Sequence, residues 1–168
     1  MKVIFLDIDF VLNSRNTSAQ IQSFTGKKVV YGPVFVEEPF TRENLNWGKR
    51  MVDNLHGIVN RTGAVIVISS TWGEKFLYPY QYANMFKAYG WDAPVIDITP
   101  RYLSTRGEEI DAWMWETQTR MQKDINSYVI LDDNDDFSND QKRYWVKTDP
   151  DHGLTADDAK AAINILNK

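Results

Sequence analysis

Lys2-Val3-Ile4-Phe5-Leu6-Asp7-Ile8-Asp9-Phe10-Val11-Leu12-Asn13 is the stretch from which the fold of this chain is read. Val3 to Leu6 form an apolar run with no polar alternation. Such a run fits a strand buried on both faces, in a parallel sheet covered by helices. The run ends in Asp7 and Asp9. Residues two apart in an extended chain point the same way, so both carboxylates can project from one end of the strand. In an open α/β sheet the ligand crevice lies at the carboxyl ends of the strands. Two acids there suit a hard cation such as Mg2+, or attack by one of them as a nucleophile.

The rest of the chain supplies partners for this strand. Residues 64–68 form a second apolar run, ending in Ser69, Ser70, Thr71 and Trp72. Residues 94–98 form a weaker third strand. Residues 128–131 form a fourth, which ends in Asp132 and Asp133, and residues 144–146 form a short fifth. Helical spacing of Leu45, Val52, Leu55 and Val59 predicts a helix from Thr41 to about Arg61, closed by Gly63. A second helix is expected over residues 80–89, stopped by Gly90. Thr105-Arg106-Gly107-Glu108 has the form of a capping box and opens a helix with Ile110, Trp113, Met114, Thr117 and Met121 on one face. Thr155 caps the last helix, with Asp157 and Asp158 in its first turn and Ile163 and Leu166 toward the core. Strands alternating with helices give an α/β fold: a Rossmann-like, mainly parallel five-stranded sheet flanked by helices. Residues 1–168 are expected to form one domain. The polar segment 14–23 and the Gly-punctuated residues 24–36 predict a small β-hairpin flap over 21–36, inserted after the first strand as a minimal cap of about 14–40.

Composition narrows the chemistry. The length, 168 residues, suits a single domain with a full core. There is no cysteine, which excludes disulfides, thiolate nucleophiles and Cys-based zinc sites. The two histidines, His56 and His152, are too few for a His-rich metal site. The formal net charge of −4 argues against holding bulk nucleic acid through phosphates alone. The first apolar run is too short for a signal peptide, and no stretch reaches membrane-spanning length, so the expected location is the cytoplasm.

Three strands therefore end in polar groups along one expected edge: Asp7 and Asp9, Ser69 and Ser70, Asp132 and Asp133. Arg106 opens the helix that precedes the fourth strand. Carboxylates for a cation, hydroxyls for anionic oxygens and a guanidinium to offset charge are what phosphoryl transfer requires. Each piece alone is ordinary. A solvated turn, a helix cap and a surface arginine would produce the same residues. Residues 132–136 do not make a calcium loop: Phe137 stands where that loop needs Gly, and Arg143 where it needs Glu.

The order of these groups resembles the haloacid dehalogenase (HAD) superfamily of phosphatases. Asp7-Ile8-Asp9 resembles its first motif, Ser69 its second, Arg106 the basic residue of its third, and Asp132-Asp133 its fourth. Residues 11–13, 68–72, 105–110, 130–133 and 153–155 further resemble the HAD domain of Swiss Army Knife RNA repair proteins. The resemblance spans nearly the whole chain apart from the flap. It implies that Asp7 attacks phosphorus and forms an aspartyl-phosphate. It implies that Asp9 protonates the leaving oxygen and then activates water. It implies Mg2+ held by Asp7, the Asp9 backbone carbonyl and Asp132 or Asp133, with Ser69 and Arg106 on the phosphoryl oxygens. The residues agree with this, since a carboxylate approaches a phosphate dianion only where a cation and an arginine offset the like charge.

One position departs from the pattern. The superfamily has Gly directly after the second Asp, and Phe10 stands here. A left-handed Phe costs roughly 1–2 kcal/mol, so an ordinary backbone conformation is expected at this position. The ring could crowd the site or pack under a substrate base. Trp72, Tyr78, Tyr80 and Tyr82 could also stack on bases, though packing within their own segment is the commoner role for such rings. Ser70 joins Ser69 as a candidate for substrate binding. Arg15, Lys27, Lys28 and Arg42 could attract an anion. The expected substrate is a phosphorylated small molecule, in particular a nucleotide, or a nucleic-acid 3′-phosphate end. Two other classes fit less well: a catalytically impaired HAD domain retained for binding, motivated by Phe10, and a receiver-type phosphoacceptor. Receivers carry the phosphorylated Asp on a middle strand and a Lys late in the chain, unlike the order here.

Overall fold

A computed structural model describes residues 1–34 and 36–168. Five strands form one parallel sheet: β1 (Lys2–Leu6), β2 (Val65–Ile68), β3 (Val95–Ile98), β4 (Ser127–Asp132) and β5 (Trp145–Lys147). Their spatial order is β3-β2-β1-β4-β5. β1 is central, with Val3 paired to Val65 on one side and to Tyr128 on the other. This explains its unbroken apolar run, because both edges are hydrogen-bonded and both faces are covered.

Alternation along the strands sends side chains to two cores. Ile4, Leu6, Ile66, Ile68, Val129 and Leu131 bury against α3 (Lys49–Thr62) and α6 (Ala156–Leu166), with Met85 and Phe86 of α4 (Pro79–Lys87) in the same cluster. Val3, Phe5, Val67 and Ile130 face Ile110 and Trp113 of α5 (Arg106–Thr119). Phe5 lies edge-on to both Trp113 and Tyr128, at centroid distances of 5.4 and 5.8 Å. Burying a ring of this size stabilises the fold by roughly 2–3 kcal/mol. The capping box expected at Thr105 is formed with Glu108, and Thr155, expected as a cap, also forms a box with Asp158 as its reciprocal partner.

Two regions differ from the sequence reading. The expected helix from Thr41 to Arg61 is broken in two: α2 (Arg42–Leu45) ends at Asn46, which is left-handed at φ 57°, and Gly48 then opens α3. The expected hairpin is absent among the described residues. Residues of its first half instead belong to a helix, α1 (Arg15–Thr25), capped by Ser14 and ended by left-handed Gly26. Residues 27–34 and 36–40 carry no strand, and Phe35 lies outside the described residues. This insert is pinned by Lys75, whose ammonium donates to the carbonyls of Pro33, Val34 and Val36 at 3.0, 3.0 and 2.8 Å. No described helix is long and apolar enough to cross a membrane.

Candidate functional site

The carboxyl ends of β1, β2 and β4 lie side by side because the strands are parallel and in register. Asp7 follows β1, Ser69 and Ser70 follow β2, and Asp132 closes β4. Asp7, Asp132, Ser69 and Ser70 are all buried. Carboxylate oxygens of Asp7, Asp132 and half-buried Asp133 lie within 4.8 Å of one another. Arg106 reaches into this group from the first turn of α5, with Nη1 3.3 Å from Asp7 Oδ1 and 3.5 Å from Asp132 Oδ2.

The reach of Arg106 depends on a close approach between α5 and the loop after β4. The Arg106 backbone N–H donates to the Asp136 carboxylate, and the Gly107 N–H donates to the Asp136 carbonyl. Gln141 Nε2 donates to the Gly107 carbonyl and to Asp111. A Cβ on Gly107 would stand 2.4 Å from Gln141 Oε1 and 3.2 Å from the Asp136 carbonyl. A side chain at position 107 would have to displace the Gln141 amide and press on the Asp136 carbonyl, so glycine lets the helix start sit this near the acids. Asp136 and Gln141 were not singled out from the sequence, because their role depends on this contact between distant segments.

Burial dominates the electrostatics. It pushes the Asp7 carboxyl above the usual carboxylate range, opposed by Arg106 and by the nearby Ser70 hydroxyl. Asp132 is pushed up to about 8 by burial and by the charge of Asp7, with Arg106 opposing. Asp133 is also raised, again by burial. Two buried carboxylates sharing one guanidinium are short of positive charge, which a bound divalent cation would supply. The donor set, three carboxylates without imidazole or thiolate, fits Mg2+. Among the described residues Ser69 Oγ is buried without a hydrogen-bond partner.

Asp9 stands apart from this cluster of carboxylates. Its Oδ1 accepts from Asn13 Nδ2 at 2.8 Å and from the Gly32 backbone N–H at 3.2 Å, and its Oδ2 accepts from Trp72 Nε1 at 3.0 Å. Trp72 is 1% exposed and packs against Trp47 and Phe76, so its ring offers no face to a base. The expectation that Trp72 stacks on substrate is corrected: its indole fixes a carboxylate. Tyr82 is likewise in the core, while Tyr78 and Tyr80 are exposed and stack on each other. Arg15 pairs with Asp151, and Arg42 bonds the Ala88 carbonyl and lies over Tyr89.

Phe10 is left-handed, at φ 60°. The ordinary conformation expected there is overturned, and the backbone takes the turn that glycine would take. The strain is offset locally. The Phe10 N–H donates to Asn13 Oδ1 at 2.7 Å, and the Phe10 carbonyl accepts from Thr148 Oγ1 at 2.9 Å. The ring sits 4.7 Å from Tyr31, with the Arg15 guanidinium 5.6 Å from its centroid. The same loop is braced from below by Gly153, where a Cβ would stand 2.9 Å from the Asn13 carbonyl. In Phe10→Ala the φ strain remains and the ring contacts are lost, whereas Phe10→Gly relieves the strain. Thermal melts are thus expected to rank Gly above Ala by about 1 kcal/mol. The reverse order would mean that the left-handed turn carries no strain.

A parallel sheet in the order β3-β2-β1-β4-β5, with acids ending β1 and β4 and an arginine opening α5, is the architecture of the HAD superfamily. The chain belongs to the family described as HAD domain in Swiss Army Knife RNA repair proteins, which matches it over residues 3–159. The chemistry of such a domain is of the phosphatase type. No curated protein and no solved structure matches the chain.

Proposed function

We propose that this protein is a Mg2+-dependent phosphomonoesterase that works through an aspartyl-phosphate on Asp7. The observation that carries the reading is the buried pair Asp7 and Asp132 with Arg106 between them and Asp133 alongside. Asp7, Asp132 and Asp133 would hold the Mg2+, together with the Asp9 carbonyl. The ion supplies positive charge that lets a carboxylate meet a phosphate. Arg106 and the Ser69 hydroxyl bind phosphoryl oxygens, with Ser70 beside them.

An Asp7 oxygen attacks phosphorus, and the bond from phosphorus to the leaving oxygen breaks as Asp9 delivers a proton to that oxygen. Water then attacks the phosphorus of the acyl phosphate, and Asp9 takes the proton. Inorganic phosphate departs, and the Asp7 carboxylate is restored. Covalent catalysis of this kind needs neither cysteine nor histidine, consistent with the composition.

The substrate is a nucleotide or a nucleic-acid 3′-phosphate end. The family's RNA repair setting and the small insert over the site support this class. The test is a panel of nucleoside 3′- and 5′-monophosphates, 3′-phosphorylated oligonucleotides, sugar phosphates and phosphoserine, each with Mg2+. Nucleotide or 3′-end phosphates are expected to have the highest kcat/KM. A clear preference for sugar phosphates or phosphoserine would refute the substrate class and leave the chemistry intact.

A further inference from the structure

A carboxylate offers about four lone-pair positions to donors. Three of those on Asp9 are taken, each by a group from a different part of the chain. Asn13 comes from the loop after β1, Gly32 from the insert, and Trp72 from the short turn after β2. Among the described residues both positions on Oδ1 are filled, and one on Oδ2 has no donor. We propose that Trp72 is a positioning residue: its indole N–H, with Asn13 and Gly32, holds the Asp9 carboxyl so that its single open oxygen position faces the leaving group. The inference rests on the phosphatase reading above.

Several observations make this more than the incidental pairing of a buried indole. A buried Trp N–H needs an acceptor, and a backbone carbonyl commonly provides one. Here the acceptor is the second acid of the strand-end pair. The turn bearing Trp72 also bears Lys75, whose three bonds to Pro33, Val34 and Val36 hold the insert in place beside Gly32. Asn13 serves the same loop twice, donating to Asp9 and accepting from the Phe10 N–H. Asp9 is thus fixed from the strand-end loop, the insert and the β2 turn together. A displacement of its carboxyl by about 1 Å can cost on the order of 100-fold in rate.

Loss of the latch has a signature that general loosening lacks. Proton delivery matters for an alkoxide leaving group and hardly at all for p-nitrophenolate. For Trp72→Phe, kcat/KM on a nucleoside monophosphate is expected to fall about tenfold more than on p-nitrophenyl phosphate. kcat/KM reports the first phosphoryl transfer, so slow hydrolysis of the intermediate does not mask the difference. An equal fall on both substrates in a folded variant overturns the proposal. A second measurement needs no turnover and does not depend on the fold of that variant. The Trp72 indole N–H resonance of the 15N-labelled protein should move upfield in Asp9→Ala, which removes its acceptor. An unmoved indole resonance likewise overturns the latch. A wild-type protein inactive on both substrates would instead refute the phosphatase reading, with the indole shift still judging the contact.

Discussion

Asp7→Asn is expected to remove Mg2+-dependent phosphate release, by roughly 1000-fold or more in kcat, from a protein that remains folded. The neutral side chain cannot attack phosphorus, whereas the backbone bond from the Asp7 N–H to the Leu131 carbonyl is kept. The fold should not suffer. Burial holds the Asp7 carboxyl above its usual range, so the ionised form is costly in the metal-free state at neutral pH. The Asn variant is therefore expected to melt no lower than wild type. Phosphate release measured on the best substrate, with a thermal melt beside it, checks both halves. Turnover near the wild-type rate would remove the aspartyl-phosphate from the mechanism.

The second large effect is an exchange of stability for metal binding at Asp132. Its carboxyl is pushed up to about 8 in the fold, from an ordinary value of 3.8. The folded state thus binds the proton more tightly than the unfolded state. The metal-free fold is favoured fully below the unfolded value and loses that contribution as pH rises toward the folded one. At pH 7 folding must bind a proton at Asp132 or bury its charge, which costs on the order of 4 kcal/mol, so metal-free Asp132→Asn should melt about 8–16 °C above wild type. The gap should shrink as pH falls toward 3.8 and close below about pH 3, where wild-type Asp132 is protonated in both states. Mg2+ should reverse the order, raising the wild-type melting temperature and leaving the variant nearly unmoved. A variant that melts below wild type at pH 7 would show that burying Asp132 costs nothing, and one that gains as much from Mg2+ would show that Asp132 is not a ligand.

The groups for chemistry were legible in the sequence because each sits at the end of an apolar run. Asp7, Ser69 and Asp132 follow strands buried on both faces, and Thr105 caps α5 beside Arg106. Helix α1 was not legible for the opposite reason. Of its residues only Ser18 is buried, and its large apolar residue Phe24 is 90% exposed, so no apolar periodicity marks it. Val29 and Val30 with nearby glycines mimic a hairpin instead. The α2–α3 break turns on Asn46, a residue that also fits a helix interior. At the site, the missing information was tertiary. Nothing local says that Trp72 faces Asp9 across 63 positions of chain, or that Gly107 abuts Gln141. Phe10 misled because steric preference favours an ordinary φ, whereas Asn13, Thr148 and Tyr31 hold the left-handed one.

The central place of β1 also matters while the chain is being made. β1 leaves the ribosome before β2 and β4, the two strands that will cover its edges. Until they arrive, Val3 to Leu6 is an uncovered β-prone segment of the kind that recruits other nascent chains into aggregates. Charges set beside such a segment act as gatekeepers, because stacking identical chains would stack like charges. Lys2 flanks the run on one side, and Asp7 and Asp9 flank it on the other. The carboxylates proposed to act in phosphoryl transfer would by the same rule also help keep newly made copies apart before any site exists.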